Sequence, residues 1–139
     1  MLSYRATTTI NAPPETIWQI LTDGAKYADW DPHMIRLEGR IAPGEQLTVY
    51  TKLAPERAFK PTVREYEANR HMVWQSGMPL GLFKGARTFT LKPQGDSTEV
   101  TLQEEFSGPM LALIKGSIPD MNPVFNDFLA ALKARAESA

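Results

Sequence analysis

The chain of 139 residues has no cysteine and only two histidines. Without thiols there is no disulfide framework, thiolate nucleophile, iron–sulfur cluster or cysteine-ligated zinc. His33 and His71 fall on different predicted elements, which argues against a metal site built on spaced imidazoles. No metal and no cofactor is expected. Charge of neither sign is in surplus: 15 Lys and Arg stand against 16 Asp and Glu, a net charge of −1. A protein that neutralises phosphates needs a basic excess, so no nucleic-acid partner is expected. No apolar run approaches the roughly 20 residues of a membrane span. Residues 1–7 alternate polar and apolar without a signal-type core, so the expectation is a soluble, cytoplasmic protein with no stable membrane insertion. Catalytic signatures are missing too. There is no G-x-S-x-G elbow, P-loop or G-x-G-x-x-G, and Ser107-Gly108 lacks the preceding glycine of a nucleophile turn. Gly77, Gly81 and Gly85 mimic a membrane-helix glycine repeat, but Pro79 and Lys84 exclude it and leave a loop that bends a sheet.

What is present reads as one domain over residues 1–139. A chain of this size buries roughly 70% of its unfolded surface and needs no covalent staple. Thr-rich residues 4–10 predict a strand. Pro13-Pro14-Glu15 then starts a helix, because proline is tolerated in a first turn, and Ile17, Trp18, Ile20 and Leu21 give it an apolar stripe. Asp23-Gly24 ends it. A short helix over 25–29 follows, closed by Trp30-Asp31-Pro32. The period then changes from about 3.6 to about 2. Residues 34–40, 46–53, 58–67, 71–76, 83–92 and 98–106 predict six strands with Gly, Pro, Asn and Asp punctuation between them. Their short connections imply an antiparallel meander. Residues 110–115 predict a short turn or helix start. Asn122-Pro123 reads as an N-cap and first turn, followed by Val124, Phe125, Phe128, Leu129 and Leu132 at helical spacing. The expected architecture is α+β: a curved antiparallel sheet of six to seven strands around a long C-terminal helix. Such a sheet rarely packs solid against one helix, and the gap is where small molecules bind.

Several stretches, in order, carry a family resemblance. Ile10-Asn11-Ala12-Pro13-Pro14-Glu15-Thr16-Ile17-Trp18 resembles the opening of the START-like (SRPBCC) superfamily, in its polyketide cyclase/dehydrase and lipid-transport branch. Tyr27-Ala28-Asp29-Trp30-Asp31-Pro32 resembles its Y-x-x-W-x-P segment. Val73-Trp74 with Gly77 and Gly81-Leu82 resembles its central strand pair, and the stretch from Thr98 through Glu104 and Phe106 to Gly108 resembles a later strand. The resemblance implies a helix-grip fold with a mostly apolar pocket, in a family whose members bind lipids, sterols, polyketides or plant hormones and some of which catalyse ring closure or dehydration. One departure matters: the resemblance calls for His two residues before Phe89, and this chain has Arg87. A guanidinium stays charged and cannot serve as a base, which puts the acid–base role of that position in doubt.

Strand parity supplies the sharpest site expectation. Arg87, Phe89 and Leu91 share one face of a strand; Val100, Leu102, Glu104 and Phe106 share one face of the next. If the apolar faces are concave, Arg87 and Glu104 point into the pocket and pair there. They either polarise a ligand carbonyl or carboxylate, or form a structural ion pair at the rim. Met72 and Trp74 share a parity and are expected on the wall, Trp30 at a corner or lid, and Phe125 and Phe128 on the helix side. Tyr66 cannot share a face with Val63 on a regular strand, so a bulge turns it inward or it faces solvent. His71 is expected in solvent. The candidate ligand contacts are therefore Trp30, Met72, Trp74, Arg87, Phe89, Leu102, Glu104, Phe125 and Phe128, and the candidate catalytic residues Arg87, Glu104 and Tyr66. The expected function is binding of a small hydrophobic molecule. The alternatives are a cyclase or dehydratase acting on a poly-carbonyl substrate, where few catalytic groups are needed once the chain is folded into a near-attack shape, and a protein-interaction module with an incidental cavity. Nothing in the polar face of the last helix sets an oligomeric state.

Overall fold

Prolines and glycines divide the chain as the patterning requires. In the computed structural model, which describes residues 1–118 and 120–139, strand β1 (Leu2–Ile10) ends just before Pro13, whose extended backbone opens helix α1 (Pro14–Thr22). A 3₁₀ turn at Gly24–Lys26 leads into the short helix α2 (Tyr27–Trp30). The buried Tyr27 hydroxyl donates to the Leu21 carbonyl, tying α2 back to α1. Strands β2 (Met34–Glu38), β3 (Thr48–Thr51), β4 (Thr62–Glu67), β5 (His71–Met78), β6 (Phe83–Gln94) and β7 (Ser97–Ser107) follow. Helices α3 (Leu111–Ile114) and α4 (Asn122–Glu137) close the chain.

All strand pairings are antiparallel, but the ladder is not continuous. Five strands form one sheet in the order β1-β7-β6-β5-β4, and β2-β3 is a separate pair. Bridges at Gln46–Thr62 and Val49–Phe59 and a few neighbouring backbone bonds join the two. Pro55 and Pro61 lie between β3 and β4, and a residue without an N–H cannot carry a ladder through. At the β5–β6 turn, Gly77 has φ +153, and a Cβ there would fall 2.1 Å from the Phe83 carbonyl oxygen, so only glycine fits.

The inner face of the sheet is best described in rows. Leu91 pairs with Val100; one row along, Met72, Phe89, Leu102 and Ala6 are successive partners. The next row crosses all five strands as Val63, Trp74, Arg87, Glu104 and Tyr4. Helix α4 lays Phe125, Phe128, Leu129, Leu132 and Ala136 against this face. Its start differs from expectation: Met121 occupies the cap position, and Asn122 is the first helical residue. The Asp120 carboxylate reaches the Asn122 N–H at 3.0 Å and does what the asparagine side chain was expected to do. At the other end, Lys133 Nζ donates to the Thr9 carbonyl and to Glu137, both at 2.7 Å, while the Asn11 N–H donates to Glu137 at 2.8 Å. These bonds clamp the helix end onto the β1–α1 corner. They also hold the Glu137 carboxyl below its usual range, Lys133 first and the Asn11 N–H second.

Candidate functional site

A hollow of about 170 Å³ lies between the sheet, the β2–β3 pair and the first turns of α4. Two polar side chains reach it from the third row. Arg87 and Glu104 are direct cross-strand partners, and Arg87 Nε donates to Glu104 Oε2 at 2.9 Å. The pair is largely withdrawn from water, with side chains 23% and 10% exposed. The guanidinium also stands 5.4 Å from the Phe125 ring centroid, a cation–π distance that holds it against α4.

A second carboxylate, Asp31, enters from the loop after α2. Its backbone N–H closes α2 on the Tyr27 carbonyl at 2.8 Å, and Pro32 then forces it into an extended conformation. The residue is 8% exposed, and its Oδ1 accepts the His33 N–H at 3.0 Å. Burial pushes its carboxyl above the ordinary range, against the opposing pull of that N–H and of Arg87. His33, also on the wall, meets Asp127 of α4 at 2.9 Å and ties the loop to the helix. Trp74 completes the polar row. It is 2% exposed, packed on Tyr27 and Phe89, and its Nε1 has no hydrogen-bond partner among the described residues. Apart from Thr51, the remaining wall is apolar, with Met34, Val49, Leu53 and Phe59 on the β2–β3 side and Leu102, Met121, Val124, Phe125 and Phe128 opposite.

Of the residues expected at a site, Trp74, Arg87, Leu102, Glu104, Phe125 and Phe128 line the hollow. Met72 and Phe89 do not. They sit one row deeper at 0% and 1% exposure, where facing side chains fill the space and leave them behind the wall. Trp30 packs on the far side of Phe128, with ring centroids 5.2 Å apart, and borders a surface groove with Gln19, Lys26 and Arg135. Trp30 lies one turn from Tyr27 with ring centroids 4.9 Å apart, and its ring is spent on that contact and on Phe128 rather than on the hollow. Tyr66 is turned inward by a register shift between Arg64 and Glu67, where Glu65 takes φ +44. It nevertheless lies off the hollow, its hydroxyl accepting from Trp18 Nε1 at 3.1 Å and its ring edge-on to that indole. His71 is half-buried rather than free in solvent, 3.6 Å from Glu67. Sequence reasoning missed Asp31 and His33. Their one signal was an acid placed between a helix end and a proline. Among the described residues, no three His, Asp or Glu side chains cluster to hold a metal ion, and no helix is long and apolar enough to cross a membrane.

Comparisons with known proteins agree with this geometry. A family model described as polyketide cyclase / dehydrase and lipid transport matches residues 1–137. A search of the curated proteins found no match. Among solved structures, the chain is similar to protein MLL2253 from Mesorhizobium loti, with TM-score 0.75 and 17% identity over 99% of this chain and 98% of that one. A START superfamily protein from Mycobacterium smegmatis gives TM-score 0.72 and 21% identity over 98% and 97%. The Zhui aromatase/cyclase of a Streptomyces species gives 0.73 and 16% over 98% and 93%. At these identities the likeness to solved structures shows the helix-grip fold.

Proposed function

Given that the chain belongs to the polyketide cyclase/dehydrase and lipid-transport family, we propose that it binds a small hydrophobic molecule in the hollow between its sheet and α4. The observation that carries this reading is a gap walled by apolar side chains and crossed by one polar row. Apolar walls supply binding energy through the area they take from water, while a few fixed polar groups set orientation. A screen of lipophilic compounds by thermal unfolding tests it. At a hundredfold excess over Kd, a ligand stabilises by about 2.7 kcal/mol, on the order of 10 °C in Tm for a domain of this size. Native mass spectrometry of freshly purified protein is the companion measurement. Flat melting curves across the screen together with no co-purified mass would overturn the reading.

Asp31 favours a second reading, an enzyme of the cyclase or dehydratase kind. A buried carboxyl lifted toward its protonated form, beside a fixed guanidinium, is the arrangement that hands a proton to a leaving hydroxyl while Arg87 polarises a carbonyl. The structural likeness to an aromatase/cyclase suggests a poly-carbonyl substrate as the probe. Product formation from a diketide or triketide thioester should fall at least about tenfold in Asp31→Asn while Tm at neutral pH does not fall. Equal turnover by the variant would remove Asp31 from the chemistry.

A further inference from the structure

We infer that the tip of the β5–β6 hairpin, together with α3, forms a peripheral docking surface for an anionic lipid membrane. Apolar side chains gathered at one end of the fold are the first argument. Met78, Leu80, Leu82 and Leu113 are all exposed, Leu80 at 97% and Leu113 at 76%. The hairpin and α3 are tied together there: the Met110 N–H donates to the Leu82 carbonyl at 2.8 Å, and the Leu113 N–H donates to the Met110 carbonyl at 3.1 Å. Leu80 holds φ +60. Glycine or asparagine fills that conformation at less cost, so the geometry of the turn does not account for a leucine. Single exposed leucines are ordinary, whereas a cluster of them marks a surface that meets something apolar.

Charge is the second argument. At the base of the tip, a surface groove of about 330 Å³ is lined by Lys60, Arg64 and Lys84, with Gln46, Thr62 and Gln75 beside them and no carboxylate. Lys115 directly follows α3. Among the described residues, none of these four cations stands in an ion pair. Residues 77–95 and 106–118 contain no Asp or Glu. Glu105, one row further along the same sheet face, is engaged by the Gln103 amide at 2.8 Å. Leucines bordered by unpaired cations match an interface where acyl chains lie beneath phosphate groups: the apolar tip enters the boundary while the ammonium groups stay at headgroup level. A second copy fits worse, because it would set like charges face to face. A soluble polyanion would leave the leucines without a role.

Co-sedimentation with lipid vesicles tests the surface. Vesicles containing phosphatidylglycerol should bind at least about tenfold tighter than pure phosphatidylcholine at low salt, and high salt should erase the difference. In Leu80→Asn/Leu113→Ser, which alters only exposed side chains, affinity should fall about tenfold. Lys60→Glu/Arg64→Glu/Lys84→Glu should abolish the preference for phosphatidylglycerol. Lys26→Glu/Lys92→Glu/Arg135→Glu makes the same change in net charge on exposed residues outside this groove and should keep most of that preference. Equal binding to both vesicle types, binding to neither, or an equal loss in the second triple variant overturns the inference. So does a lipid-free dimer that the leucine substitutions dissociate, since the tip would then serve a second copy. The comparison of vesicles with the unaltered protein stands whether or not a variant folds. Failure here leaves the ligand-binding reading intact, because that reading is tested with lipophilic compounds in the absence of vesicles.

Discussion

The two ends of the space under α4 are built from the same strands and behave as opposites. At the closed end, Met72, Phe89, Leu91, Val100 and Leu132 interlock at 0–3% exposure, and the helix is clamped to β1 by Lys133 and Glu137. At the open end, one row away along the strands, Trp74, Arg87 and Glu104 stand in place of Met72, Phe89 and Leu102, and the facing wall is the separate β2–β3 pair. A two-residue step along a strand is thus enough to pass from packed core to binding wall. Stability is concentrated at one end and polar selectivity at the other.

The comparison breaks most visibly if phenylalanine means the same thing at both ends. Phe89→Ala should cost about 3–5 kcal/mol, because its 1%-exposed ring leaves a cavity in interlocked surroundings. Phe59→Ala, on the hollow's outer wall and 41% exposed, should cost less than about 1.5 kcal/mol; urea unfolding of the two variants measures the contrast. The next effect concerns the ion pair. Glu104→Gln keeps an acceptor for Arg87 but leaves its charge unmatched, and should cost about 1–2 kcal/mol, discounted from a fully buried pair because the arginine is 23% exposed. If ligand affinity is untouched while stability drops, the pair is structural and belongs with the closed end.

Two carboxylates at opposite ends sharpen the contrast through pH. The Asp31 carboxyl is raised in the folded state, chiefly by burial, so its favourable contribution is present below its unfolded pKa and is lost as pH rises through the folded one. Asp31→Asn should therefore raise Tm modestly at neutral pH, with the advantage fading on acidification. Glu137 is lowered, chiefly by Lys133, so its contribution is present above the unfolded pKa and lost as pH falls through the folded one. Glu137→Gln should give the smallest change of the set, a slight loss at neutral pH that vanishes in acid and weakens with salt. Thermal melts across pH read both signs in one series.

Much of the open end was legible because strands announce their faces. Parity puts Arg87 and Glu104 on the apolar faces of neighbouring strands, and Trp74 by the same rule; that the first two are direct partners is set by the register. Phe125 and Phe128 followed from helical spacing. Period-2 reasoning assigns a face but not a depth along the strand, which is why Met72 and Phe89 shared the expectation for Trp74 yet lie behind the wall. Asp31 and His33 occupy a loop with no period, so only tertiary folding could bring them in. The separation of β2–β3 from the main sheet was written in Pro55 and Pro61, whose effect on a ladder depends on which edge faces a neighbour.

The left-handed kink at Glu65 shapes one margin of the main sheet. Backbone from Gly44 to Leu47 occupies the outer side of β4 as far as Val63, with Gly44 to Val63 and Val63 to Glu45 bonds of 2.9 Å. Just beyond, where an exposed edge would begin, the strand swerves and carries Arg64, Glu65 and Glu67. A short, bent, charged margin is a poor template for annealing a foreign strand, so the sheet should not grow across this edge under crowding.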